Sequence, residues 1–216
     1  MKIRSVAIRT IASKVFAVAL AALVLLPGVA AAQEESASKV VLENSQRILS
    51  ALESRRAEFK ADHGKLEAFV SHEFNATFDR DYAARQVLGR HARGASADDV
   101  KLFADALADS LMRRYGSSLL DFNTQLKVRI KSESVLPRGL GVKVSSELLR
   151  KGGEPIPVDY FMRKSGDNWK VFDVMVEGVS FVQTFRRQFD SELAHKSIRQ
   201  VAAELAAGKV AVDAGG

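Results

Sequence analysis

One change of hydrophobic period divides this chain of 216 residues into two kinds of structure. As far as Phe122 the apolar residues recur every three or four positions, which is the spacing of one face of an α-helix. From Leu126 onward apolar and polar residues alternate, which is the period of a half-buried strand. Helical and strand patterns that are segregated along a chain predict an α+β fold.

The first half predicts a layer of helices. A helical stripe runs from Ser38 to Phe59, and a phenylalanine-rich stripe from Leu66 to Phe78 follows an interruption at His63-Gly64. Asp79 can cap the next helix, and the pattern from Ser96 to Tyr115 predicts the longest one.

The second half predicts a four-stranded antiparallel meander. Turn signals at 137–141, 152–153 and 165–167 separate the alternating segments. Helical spacing returns after Gly178, and a last helix is expected over 194–206. The predicted architecture is therefore a helical N-terminal half, a four-stranded meander and C-terminal helices that close over the apolar face of the sheet.

The N-terminus has the pattern of a secretory signal peptide. Four basic residues accompany the apolar run from Val15 to Leu26, and the small residues Ala30 and Ala32 suit a cleavage site after residue 32. Removing residues 1–32 would lower the net charge from +6 to +2, because all four of their charged side chains are basic. We expect one domain over 33–209 and a disordered tail over 210–216.

Composition excludes several classes of function. The chain has no cysteine, so disulfides, thiolate nucleophiles and cysteine-based metal sites are absent. The apolar run is shorter than the roughly 20 residues needed to span a bilayer, so we expect a soluble periplasmic protein. Lys127, Arg129 and Lys131 form a basic stripe without interleaved aromatic residues, which argues against nucleic acid as a partner.

Motifs for catalysis or metal binding are weak. His72-Glu73 begins a zinc-protease pattern, but Ala76 stands where the second histidine is needed, and no metal site is predicted. Ser180 lies in a partial nucleophile-elbow sequence that has Val182 in place of the required glycine. The sequence thus predicts no catalytic residues of the metalloprotease or serine-hydrolase type.

Asp173 is the most interesting carboxylate. Strict alternation places it on the same strand face as Trp169, Val171 and Met175, where a charge needs a partner. A structural hydrogen bond is the simpler interpretation, and an acid/base pair with Tyr160 is the alternative that an enzyme would need.

Large apolar residues, phenylalanine and methionine among them, are abundant on the helix and strand faces that are expected to pack against each other. They include Phe74, Phe103, Met162 and Phe185. A protein of this size needs an ordinary core, so periodicity alone cannot distinguish a packed interior from a ligand cavity.

Two separated segments carry a family resemblance. The segment from Pro157 to Phe189 reads PVDYFMRKSGDNWKVFDVMVEGVSFVQTFRRQF, and the segment from Arg85 to His91 reads RQVLGRH and is followed by Ala95-Ser96. In this order they resemble the signature of the MlaC-type, or toluene-tolerance, family of periplasmic phospholipid-binding proteins. The last helix departs from the family pattern, because Ser197 to Gln200 replace its usual glycine-containing start.

The resemblance implies an apolar pocket within a cone of the NTF2-like kind, elaborated with helices. The pocket would hold the acyl chains of a phospholipid as ligand, with no cofactor, no metal and no catalysis. The expected lining residues are Phe74, Phe78, Val87, Leu88, Phe103, Leu107, Leu111, Tyr115, Val128, Ile130, Val144, Val158, Tyr160, Met162, Val171, Met175, Val179, Phe181 and Phe185.

The resemblance also implies partners. Family members carry phospholipid between an outer-membrane lipoprotein complex and an inner-membrane ABC transporter that bears a hexameric substrate-binding domain. Three alternatives remain open at this point: a carrier of hopanoids or other polycyclic lipids, a small periplasmic enzyme with a cone-shaped pocket, and a structural adaptor with a filled core.

Overall fold

The first half of the protein is helical, as the 3.6-residue period predicts. The computed structural model describes residues 35–120 and 126–213, and the segment predicted as a signal peptide lies outside them. The helices of this half are α1 (Ala37–Ser54), α2 (Arg56–Ala61), α3 (His63–Thr77), α4 (Arg80–Leu88) and α5 (Ala97–Tyr115), with 3-10 turns at Gly89–Ala92 and Ser117–Leu120.

Side-chain caps set where several of these helices begin. Asp79 caps α4 by accepting a hydrogen bond from the Tyr82 N–H at 3.2 Å, as the sequence predicts. Ser96 caps α5 by accepting from the Asp99 N–H at 3.0 Å. Each cap satisfies a backbone donor that has no partner inside its helix.

The helical breaks near residue 60 differ from the prediction. The stripe from Ser38 to Phe59 is two helices, because Arg55 leaves helical backbone angles. His63-Gly64 does not interrupt a helix but forms the first turn of α3, since Asp62 caps that helix by accepting from the Lys65 N–H. The cap, and not the glycine, sets this boundary.

The second half forms an antiparallel sheet with strands in sequence order. The strands are β1 (Lys127–Val135), β2 (Val142–Leu149), β3 (Ile156–Ser165), β4 (Asn168–Val176) and the short β5 (Val179–Ser180). The predicted meander is confirmed, and the two-residue β5 is an addition to its four strands. Gly166 has φ +61° in the turn that joins β3 to β4, a backbone conformation that favours glycine.

A bulge in β4 reverses the faces expected for the rest of that strand. Met162 pairs with Val171 and Phe161 pairs with Asp173, so Phe172 is an extra residue between them. Trp169 and Val171 therefore share one face, while Asp173 and Met175 lie on the other. The prediction that all four share a face is wrong, because one inserted residue shifts a two-residue period by one position.

Two further helices follow β5. They are α6 (Phe181–Leu193) and α7 (Ile198–Ala206). The helix expected from residue 194 begins only at Ile198, because Ser197 and Gln200 form a reciprocal capping box at its start. The residues that depart from the family pattern are thus a local start signal for α7.

Residues near the end of the chain contact the helical core. The side chain of Val212 is 1% exposed and belongs to the helical core, and Val210 packs against the same core. The Asp213 N–H donates to Gln188 Oε1 at 3.2 Å. Within the expected tail, residues 210–213 thus contact the helical core, and residues 214–216 lie outside the described part.

The buried side chains of the described residues form three clusters. The helical core joins α4, α5, α6 and α7, and it contains an edge-to-face contact between Phe103 and Phe189 with centroids 5.4 Å apart. The sheet core joins α1 to β2, β3 and β4. A third cluster around Phe59 and Leu66 joins α1, α2, α3 and the turn at Ser117–Leu120.

Candidate functional site

The candidate site is one face of the sheet, here called the inner face. Its cross-strand neighbours are fixed by register, since Val144 pairs with Tyr160 and Tyr160 pairs with Val174. Successive residues on a strand point to opposite faces, so the register assigns every position to one side. The apolar residues of the inner face are Val128, Ile130, Val135, Val142, Val144, Leu148, Ile156, Val158, Tyr160, Met162, Trp169, Val171, Val174 and Val176.

Helix α1 covers part of the inner face. Ala37 and Val41 are buried against the sheet core. The Ser38 N–H and hydroxyl both donate to Glu133 Oε2, at 2.8 and 2.7 Å, and Trp169 Nε1 donates to the Glu35 carbonyl at 2.8 Å. These polar contacts fix the first turn of α1 across the sheet, from β1 to β4.

Packing along the inner face is uneven. Val144 is 0% exposed and Met162 is 1% exposed, so protein atoms surround both side chains. Ile130, Tyr160 and Val174 contact the same core but are only partly buried. The inner face therefore has a sealed part and a part whose apolar side chains are incompletely covered by other residues.

Two phenylalanines lie next to the incompletely covered part of the inner face and extend its apolar surface. Phe74 and Phe78 stack with ring centroids 4.3 Å apart, and Phe78 packs against the sheet core. The backbone at Phe78 forms a bridge to Val171, and the Asp79 N–H donates to the Val171 carbonyl at 2.8 Å. This bridge holds the end of α3 at the edge of β4.

Tyr160 is one of the polar residues on this largely apolar face. Burial raises the pKa of its hydroxyl, and a hydrogen bond with Ser45 of α1 lowers that pKa to a smaller extent. A neutral hydroxyl that has a partner can line an apolar site without leaving an unsatisfied polar atom.

The predicted lining residues divide among different surroundings. Five of them pack in the helical core, namely Val87, Leu88, Phe103, Leu107 and Phe185, and Leu111 is partly buried against it. Those that belong to the sheet core or pack against it are Phe78, Ile130, Val144, Tyr160, Met162 and Val171. Met175 lies on the opposite face of the sheet, while Val179 and Phe181 are exposed.

Asp173 and Tyr160 do not form the acid/base pair that an enzyme would need. Tyr160 pairs with Val174, so the adjacent Asp173 points to the opposite face. Asp173 accepts hydrogen bonds from the Ser180 hydroxyl at 2.6 Å and from the Val182 N–H at 3.0 Å. It is a structural carboxylate that ties β4 to the start of α6, as its simpler interpretation predicts.

The other residues considered for catalysis or for binding a partner also form contacts within the protein. Ser180 caps α6 by accepting from the Gln183 N–H at 3.0 Å. In the predicted basic stripe, Arg129 and Lys131 both form ion pairs with Glu147, and their hydrogen bonds lower the pKa of that carboxyl. The described residues contain no group of three metal-binding side chains.

Sequence reasoning missed several residues of the site, among them Val174 and Ser45. Strict alternation would place Val174 on the face opposite Val171, because the bulge at Phe172 has no composition signal. Ser45 lies on the polar side of a helical stripe, and only the contact with Tyr160 shows its role. Ser45 could have been found only by looking along α1 for a hydroxyl residue able to form a hydrogen bond with a buried tyrosine.

The fold and the site together define an α+β protein in which an antiparallel sheet presents an apolar face to a covering helix. The sequence profile of the family described as MlaC protein matches residues 42–207. The chain therefore belongs to the MlaC family, and the resemblance found in the sequence is confirmed.

Individual relatives agree with this assignment. A Pseudomonas putida protein described as toluene tolerance protein ttg2D is 26% identical over 183 residues, which are 81% of this chain and 83% of that protein. A solved structure of a phospholipid-binding protein from Ralstonia solanacearum, in complex with a phospholipid, superposes with a TM-score of 0.70. At 21% identity the match covers 81% of this chain and 98% of that one, which shows a common fold.

None of the helices in the described part of the chain is long and apolar enough to cross a bilayer.

Proposed function

We propose that this protein is a periplasmic lipid carrier that holds the acyl chains of a phospholipid against the inner face of its sheet. The observation that carries the proposal is the uneven packing of that face, where the apolar side chains of Ile130 and Val174 and the ring of Tyr160 are incompletely covered. Membership of the MlaC family and the phospholipid bound by the Ralstonia relative support the choice of ligand.

A carrier of this kind solves a solvation problem. A lipid with two chains of about 16 carbons exposes roughly 30 methylenes, and at about 0.8 kcal/mol each their contact with water costs on the order of 24 kcal/mol. A site nearly as dry as the bilayer makes transfer close to thermoneutral. The direction of transfer must then come from the partners, and not from the affinity of the carrier.

The lining residues follow from burial. The partly buried residues of the inner face, together with Phe74 and Phe78, form the proposed contact surface for the acyl chains. The predicted residues that pack in the helical core, such as Phe103, would support this surface without touching the lipid. The Tyr160 hydroxyl keeps its hydrogen bond to Ser45, so the surface stays apolar.

The proposed partners are two membrane complexes. The protein would be exported by the signal peptide expected over residues 1–32. It would then exchange lipid between an outer-membrane lipoprotein complex and an inner-membrane ABC transporter that bears a hexameric substrate-binding domain. This part of the proposal rests on family membership.

Lipid extraction tests the proposal. Protein purified without detergent should release phospholipid into organic solvent, measured by mass spectrometry and by phosphorus content per protein. Ile130→Glu should reduce that content at least about tenfold, because a carboxylate on a dry surface costs several kcal/mol and 1.4 kcal/mol corresponds to a factor of ten.

The matched control uses the same strand and the same new side chain. Lys127→Glu places a carboxylate on the opposite, exposed face of β1, and lipid content should remain at the wild-type level. Extracts that contain no lipid from wild-type protein would contradict the proposal. Extracts that contain a hopanoid or another polycyclic lipid in place of phospholipid would assign the same surface to that ligand class.

A further inference from the structure

Outside the inner face, the C-terminal end of α4 and the adjoining turn and helix α6 carry a concentration of arginines. Two adjoining hollows, of about 440 and 470 Å³, lie between the end of α4, the turn at Gly89–Ala92 and α6. Both hollows share Gly89, Arg90 and Arg186 as lining residues. Around them the lining adds Arg85, Arg93, Arg187 and a single carboxylate, Asp190. We call this surface the arginine groove.

The floor of the groove depends on a glycine and on a fixed arginine. Gly89 has φ +55° and ψ −121°, and a Cβ built there would lie 3.3 Å from Arg186 Nε. The absence of a side chain lets Arg186 cross the end of α4, where its Nε donates to the Gln86 carbonyl at 2.7 Å. The guanidinium of Arg186 is thus positioned by the backbone before any ligand arrives.

Positive charge in the groove is only partly neutralised. Asp190 accepts from Arg90 Nη2 at 3.0 Å, and His91 Nε2 also lies 3.0 Å from this carboxylate. Among the described residues, neither Arg85 nor Arg93 has a carboxylate partner. Five guanidinium groups and one carboxylate therefore line the two hollows. Arg186 also interacts with the Asp173 carboxyl, and an excess of positive charge remains on this concave surface.

We propose that the arginine groove is a binding site for a phosphate group. Guanidinium groups present parallel N–H donors that match phosphate oxygens, and this geometry binds more strongly than a point charge. Guanidinium groups from α4, the turn at Gly89–Ala92 and α6 line the same two hollows, an arrangement that suits the several oxygens of one phosphate group. The phosphate could come from a free phosphate ion or from the headgroup of an anionic phospholipid in a membrane.

The site does not depend on the proposed lipid carriage. It lies on α4 and α6, and it uses none of the inner-face residues. Lipid content of the purified protein should therefore stay unchanged when the groove is altered, so failure of one proposal can be separated from failure of the other.

Calorimetric titration with sodium phosphate at constant ionic strength tests the site. Wild-type protein should show saturable binding, and Arg85→Gln combined with Arg93→Gln should weaken it about tenfold or more, because charge-assisted hydrogen bonds are lost. Lys60→Gln combined with Lys209→Gln is the matched control, since it removes the same charge from exposed positions outside the groove and should bind as wild type does.

A second arm separates the two sources of phosphate. Sedimentation with phosphatidylglycerol vesicles, compared with phosphatidylcholine vesicles, measures binding to a lipid headgroup. The site is supported if the Arg85/Arg93 variant loses binding to phosphate or to phosphatidylglycerol vesicles while the lysine control keeps it. The ligand whose binding is lost shows whether the phosphate group comes from the free ion or from a lipid headgroup. Circular dichroism verifies that each variant is folded. If the double arginine variant does not fold, Arg85→Gln and Arg93→Gln are tested separately.

Three results would overturn the proposal. The first is the absence of saturable binding in both arms. The second is equal weakening in the arginine variant and in the lysine control. The third is capture of a glutamate-rich peptide by a protein that binds neither phosphate nor phosphatidylglycerol vesicles, which would assign the groove to an acidic protein partner.

Discussion

At the residue scale, Asp173 shows how a carboxylate can be buried for a structural purpose. It accepts from the Val182 N–H while Ser180 accepts from the Gln183 N–H, so two backbone donors at the start of α6 are satisfied by neighbouring side chains. Burial raises the pKa of the Asp173 carboxyl, and its hydrogen bonds with Ser180, Val182 and Val174 lower it to a smaller extent. The net direction is upward, away from the value in the unfolded chain.

The raised pKa of Asp173 predicts a pH dependence of stability. Between the ordinary and the raised pKa, the folded state binds more protons than the unfolded state, so the contribution of this group to the free energy of unfolding falls as pH rises. Asp173→Asn keeps an acceptor for the Val182 N–H but does not ionise. The free energy of unfolding of the variant relative to wild type should therefore increase as pH rises through that interval.

Urea unfolding over a pH series from about 3.5 to 7 measures this difference, since stability is linear in denaturant concentration. Asp167→Asn, in the exposed turn between β3 and β4, is the control and should follow the wild-type curve. If the curves of Asp173→Asn and wild type run parallel throughout, the assignment of a raised pKa to Asp173 is wrong.

At the scale of elements, most boundaries could be predicted from the sequence because they depend on local signals. The glycine turn at 166, the cap at Ser96 and the length of α5 depend on residues within a few positions of each boundary. The bulge at Phe172 could not be predicted, because it depends on how β4 fits both β3 and the segment at Phe78. The resulting reversal moved Val174 to the inner face and Asp173 away from it.

The start of α7 gives a prediction at this scale. Ser197→Ala removes the half of the capping box in which the Ser197 hydroxyl accepts from the Gln200 N–H, while the backbone N–H at position 197 can still donate to Gln200 Oε1. We expect a loss of about 1 kcal/mol in the free energy of unfolding. Buried residues of α7, including Val201 and Leu205, belong to the helical core, so fraying of this helix should lower global stability.

Chemical denaturation followed by circular dichroism measures this effect. Ser191→Ala, at an exposed position of α6, is the matched control and should change stability by less than about 0.5 kcal/mol. Equal changes in the two serine variants would show that the box does not stabilise α7.

At the scale of the whole molecule, the described residues from Glu35 onward form one compact unit with separate helical and sheet cores. The sequence could predict which residues are apolar, but it could not assign them to one core or the other. Phe103 and Val144 are both expected to line one pocket, yet one packs among helices and the other beneath α1. The assignment depends on tertiary packing, which periodicity does not report.

The division into separate cores also limits where a lipid can bind. Side chains that protein atoms already surround, such as Phe103 and Met162, have no free surface to offer to an acyl chain. The partly buried residues of the inner face have such a surface. The central claim is therefore that hydrocarbon from a lipid completes the packing over Ile130, Tyr160 and Val174.

An experimental electron-density map of protein purified without detergent tests this claim most directly. The account predicts elongated, unbranched density in contact with Ile130, Tyr160 and Val174, on the side of the sheet that α1 covers. A map in which these three side chains pack directly against protein atoms, with no space for a hydrocarbon chain, would contradict it.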